Sequence, residues 1–99
     1  MTTLASRAVK GRMLKERTGE LLAAVGGLEA AASYCRVSKT QLGRYASLSP
    51  ADADTFAPID VVRCLETAAG QPIVTEHLAA DAGGAFVVIP QARAGAAIC

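Results

Sequence analysis

Apolar side chains recur at helical intervals through most of this chain. Leu14, Leu21, Leu22 and Val25 predict a first helix, weakened at Gly11 and Gly19, where glycine lacks the helix propensity of its neighbours. Gly26-Gly27 then lets the chain reverse. The stretch from Leu28 to Tyr45 reads as a helix-turn-helix, with a second helix over about 28–35 and a third over about 39–46. Ala32 is the small residue expected where the two helices cross. Val37, Leu42 and Tyr45 follow at a spacing that places them on one shared buried face. Ser38 is positioned to cap the third helix, its hydroxyl accepting from the unpaired N–H groups of the first turn. Arg36 occupies the turn position where a glycine is usual.

Residues 47–58 carry two prolines, two serines and two aspartates and predict a loop, with Phe56 buried and anchoring it to the core. Pro58 and Asp60 suit the first turn of a fourth helix with an apolar stripe of Ile59, Val62, Leu65 and Ala69. Gly70 ends it. A fifth short helix spans Ile73 to Ala80 and holds Val74 and Leu78. After a break at Asp81-Ala82-Gly83-Gly84, the run Ala85-Phe86-Val87-Val88-Ile89 has the β-branched character of a strand. Such a strand pairs with its twin in a dimer, adds to another protein's sheet edge, or lies against the helices. The fold class expected is therefore all-α: a bundle of about five helices with a helix-turn-helix, plus a short strand-like C-terminal tail. Three segments follow: a basic N-terminal arm at 1–12, the helix-turn-helix domain at 13–80, and a tail at 81–99 with a candidate oligomerisation strand.

Composition narrows the picture. Ninety-nine residues make one domain with a modest core, and with only 4% aromatics that core is built from Leu, Val, Ile and Ala. No stretch has the length of a membrane span, and the N-terminus lacks the apolar run of a secretory signal. The net charge of +1 hides an asymmetry. Residues 1–45 hold eight Lys/Arg against three acids, whereas residues 46–99 hold two against six. A basic front half suits phosphate contact. Three widely spaced cysteines, Cys35, Cys64 and Cys99, form no Cys-x-x-Cys pair, and His77 has no nearby thiol. That argues against a zinc site or disulfide framework, and for a cytoplasmic location with Cys35 and Cys64 as small core residues.

The third helix leaves Lys39, Thr40, Gln41 and Arg44 facing outward, with Ser38 at its start. These side chains match the donors and acceptors of base edges and phosphates. Arg36 in the turn joins them. Arg7, Lys10, Arg12, Lys15 and Arg17 either touch the DNA backbone or form a solvated terminus. Tyr34 and Tyr45 read as packing groups. An enzyme has little support: no paired His/Cys nucleophile, phosphate loop or metal spacing is present, and no cofactor is called for.

Two segments together resemble a family. One is the helix-turn-helix after Gly-Gly with Tyr45 downstream. The other is Phe56-Ala57-Pro58-Ile59-Asp60-Val61-Val62, then Leu65-Glu66, Ala69-Gly70, Pro72-Ile73-Val74-Thr75 and Leu78-Ala79. Over roughly residues 20–80 this is similar to the phage CII-type regulatory proteins, which show a like phenylalanine-x-proline-leucine-aspartate-valine opening, a leucine-glutamate pair and a glycine-x-proline-valine-valine-threonine run. The resemblance implies a transcription regulator that binds double-stranded DNA as a homo-oligomer, dimer or higher, through Ser38, Lys39, Thr40, Gln41 and Arg44. The larger residue at Arg36 departs from the family pattern, and the tail after Ala80 lies outside the match. The rival expectation is an interaction module that binds RNA polymerase or another regulator without reading DNA.

Overall fold

The computed structural model describes residues 4–90, and these are organised around one long helix. Helix α1, Leu4–Val25, packs against all four helices that follow: α2 (Leu28–Ala32), α3 (Lys39–Ala46), α4 (Ile59–Ala69) and α5 (Ile73–Asp81). The remaining close pairs are α2 with α3 and α4 with α5. Each helical face is too narrow to bury itself, and each is closed by α1. The core joins Leu21 and Leu22 of α1, Ala31 of α2, Leu42 and Tyr45 of α3, Val61 and Leu65 of α4 and Val74 of α5. The all-α class is thus as expected, with five α-helices and no strand among the described residues.

Local chemistry explains the boundaries. Gly26 and Gly27 both adopt positive φ, +114° and +103°, which turns the chain from α1 into α2 without steric cost. Helix α2 is shorter than expected, ending at Ala32, and Ser33 to Val37 form the turn. Within it Ala31, rather than Ala32, is fully buried, while Ala32 packs at the edge of the core. Helix α4 ends at Gly70, left-handed at φ 71°, whose N–H donates to the Glu66 carbonyl. Helix α5 begins after Pro72, which offers no side-chain cap. Its cap comes from α4 instead: Glu66 Oε2 accepts from the N–H groups of Val74 and Thr75, each at 2.8 Å, and Glu66 Oε1 accepts from Thr75 Oγ1 at 2.6 Å.

Four expectations change. Over residues 4–12 the basic segment is helix rather than arm, because α1 is continuous from Leu4. It is held by the ion pair of Lys10 with Asp81 at the end of α5 and by Phe56, whose ring would lie 3.1 Å from a Cβ built at Gly11. Phe56 therefore covers α1 from outside and stays 41% exposed. The buried face of α4 is turned toward Val61, Cys64 and Leu65, leaving Ile59 85% exposed. At about 100° per residue, Ile59 lies nearly opposite the centre of that face, which the small apolar Cys64 completes. Finally, residues 85–89 form no strand. A strand needs a ladder partner, and the described residues, all helix, turn or loop, supply none. Phe86, Val87, Val88 and Ile89 are all exposed. Residues 1–3 of the expected arm and 91–99 of the expected tail lie outside the described residues.

Candidate nucleic-acid interface

Helix α3 is amphipathic over eight residues. Leu42 and Tyr45 are buried at 1% and 5% exposure, and their side chains fix which way the helix faces. Lys39, Thr40 and Arg44 consequently point to solvent, while Gln41 is half-buried on the flank beside Tyr45. Ser38 caps the helix as expected: its Oγ accepts from the Gln41 N–H at 3.2 Å, from an extended backbone at φ −77° and ψ 162°. Gly43 faces Leu28 of α2, with room for ordinary van der Waals contact. The helix start and its outward side chains thus form one exposed surface.

The charges on this surface have loosely placed acidic neighbours. Lys39 Nζ lies 3.9 Å from Glu29 Oε2, and Arg44 Nε lies 3.8 Å from Asp52 Oδ1. Both cations are more than half exposed, so water and salt screen these pairs and leave the cations available to a stronger anion. Arg36 is placed differently. Its Nε and Nη2 donate to Asp60 Oδ2 and Oδ1 at 2.7 and 3.0 Å, a two-pronged bond between the turn and the first turn of α4. That hydrogen bond holds the Asp60 carboxyl below the usual carboxylate range. Arg36 is therefore a tether of the motif before it is a free phosphate ligand. Beside it, Tyr34 is 51% exposed in the turn rather than packed.

Two of the expected contacts leave the surface. Lys15 is 3% exposed. Its Nζ donates to the backbone carbonyls of Arg44 at 3.0 Å and Tyr45 at 3.1 Å, and to that of Thr55. It also lies 5.2 Å from the centroid of the Phe56 ring. Burial pushes the Lys15 ammonium below its ordinary pKa, partly offset by the negative charge of Asp52. This buried cation cannot reach a phosphate. Arg17 pairs with Glu20 one turn along α1. Lys15 and Gly19 face α3, and Arg17, about 200° around the helix from each, points away from it. Sequence periodicity missed both placements, since the first half of α1 has too few large apolar residues to mark its inner face.

The fold thus brings Ser38, Lys39, Thr40, Gln41 and Arg44 together, engages Arg36 with Asp60, and takes Lys15 and Arg17 elsewhere. Among the described residues no group of three or more metal-ligating side chains occurs, and no helix is long and apolar enough to cross a membrane. No known protein family, curated protein or solved structure matches this chain.

Proposed function

We propose that this protein is a sequence-reading DNA-binding regulator of the CII type, with α3 as its recognition helix. The observation that carries the reading is the division of α3: Leu42 and Tyr45 anchor one side while Lys39, Thr40 and Arg44 stand together on the other. A helix so presented fits the major groove. Lys39 and Arg44 donate to guanine O6 and N7 or to phosphates, Thr40 meets a thymine methyl, Gln41 pairs with adenine from the flank, and the helix start beside Ser38 accepts a phosphate. One such helix reads too few base pairs to find a site in a genome, so the regulator acts as an oligomer on paired half-sites in the cytoplasm.

The test is fluorescence anisotropy on pooled genomic fragments across a salt series, with the Lys39→Ala/Arg44→Ala double variant as control. Tight binding to a few fragments is expected, with each lost base contact costing about 1–3 kcal/mol. Weak binding that falls steeply with salt and shows no fragment preference reports phosphate contact alone and defeats the reading.

A second reading, docking of another protein, is favoured by the exposed apolar run Phe86–Ile89 and by Ile59. It predicts no DNA binding at low salt and a partner whose capture survives the double variant.

A further inference from the structure

We infer that Lys15 is a positioning residue for α3: it holds the end of that helix from α1, fixes the angle at which the outward face is presented, and so governs discrimination between DNA sequences. The inference rests on the reading of α3 as the DNA-contacting helix.

Helix α3 is eight residues long, too short to hold its own shape in water. Its C-terminus lacks the left-handed glycine that closes α4, since Ser47 follows in an extended conformation, φ −68° and ψ 135°. Of the last carbonyls, Arg44 accepts the Ser47 N–H at 3.3 Å and also Lys15 Nζ, while Tyr45 accepts Lys15 Nζ. A cation at this end is favoured by the helix dipole. An ammonium is costly to bury, and here three carbonyl oxygens and an aromatic face compensate it. The same nitrogen binds the Thr55 carbonyl, in the loop that carries Asp52, the side-chain neighbour of Arg44. Lys15 therefore pins the backbone of an outward-facing residue and the loop that flanks its side chain. Because Lys15 itself is shielded, its removal alters presentation without deleting a phosphate contact.

The test compares the full chain with Lys15→Met and Lys15→Arg. Affinity for the preferred fragment and for an arbitrary duplex is measured over a salt series, and backbone amide exchange is followed in all helices. For Lys15→Met, preference falls at least tenfold, arbitrary-duplex affinity stays within about twofold, and the salt slope is unchanged. Amides over 42–46 exchange at least tenfold faster relative to those of α4 and α5. Lys15→Arg, which keeps a cation at the carbonyls, restores part of both. Unchanged preference overturns the inference. So does uniform weakening on every duplex with the salt slope reduced by about one, the mark of a direct phosphate contact. If Lys15→Met does not fold, Lys15→Gln, which removes the cation but keeps a donor, carries the exchange test: faster exchange confined to α3 supports positioning, and a uniform or absent change overturns it. If the unaltered protein shows no fragment preference, the DNA reading has failed, and selective exchange over 42–46 in Lys15→Met then decides the positioning role alone.

Discussion

Asp60 stands at the first turn of α4, where its carboxylate meets both the positive helix end and the two-pronged guanidinium of Arg36. Because the folded protein holds this carboxyl below its ordinary 3.8, the unfolded chain takes up the proton first as pH falls. The pair's contribution to stability is complete above about 3.8 and is lost as pH falls through the lower folded value. Asp60→Asn is accordingly expected to lower the urea midpoint at pH 7, with the difference from the unaltered protein shrinking below pH 3.8 and in high salt. A difference that persists in acid would assign the loss to packing. Lys15 shows the opposite situation at this scale. Its charge is held away from water, and its partners are fixed carbonyls rather than a mobile carboxylate.

Among elements, α5 depends most visibly on a neighbour. It starts after Pro72 with no cap of its own, and Glu66 reaches from the last turns of α4 to bind two of its first N–H groups. This gives a physical account of the segment from Leu65 to Thr75. Leu65 and Val74 are core, Gly70 closes α4, and Glu66 and Thr75 bond to each other. These residues build the hairpin of α4 and α5; none belongs to the outward face of α3. Glu66→Ala should therefore destabilise the fold by about 0.5–2 kcal/mol, the range for losing a helix cap. Chemical denaturation measures that loss, and amide exchange should show α5 opening first. Equal loosening of every helix would contradict the assignment.

For the molecule as a whole, the basic front half is not a uniform positive surface. Lys10, Arg17, Arg36, Lys39 and Arg44 each face an acid, three of them from the acidic back half: Asp81, Asp60 and Asp52. The charge asymmetry along the chain is partly cancelled by folding, so the candidate interface owes its definition to the shape of α3 more than to net charge. The proposed regulator also needs a second reading helix. Light scattering at micromolar concentration is expected to give a mass of at least twice 10.1 kDa, and a monomer mass would contradict the oligomeric reading.

What the sequence determined by itself was local: the glycine breaks, the Ser38 cap, the extent of α3, and the amphipathic division that leaves Lys39, Thr40 and Arg44 outside. These follow from backbone freedom, a hydroxyl at the right position, and a strong apolar period. Tertiary structure decided what depends on a neighbour. Lys15 reads as a surface cation until the end of α3 arrives beside it, and Arg17 as its equal until α1 is seen to turn it away. Ile59 reads as core until Val61 and Cys64 take that face, and residues 85–89 as a strand although no second strand among the described residues meets them. The side-chain period along one helix records which positions are alike; it does not record which side another helix will cover.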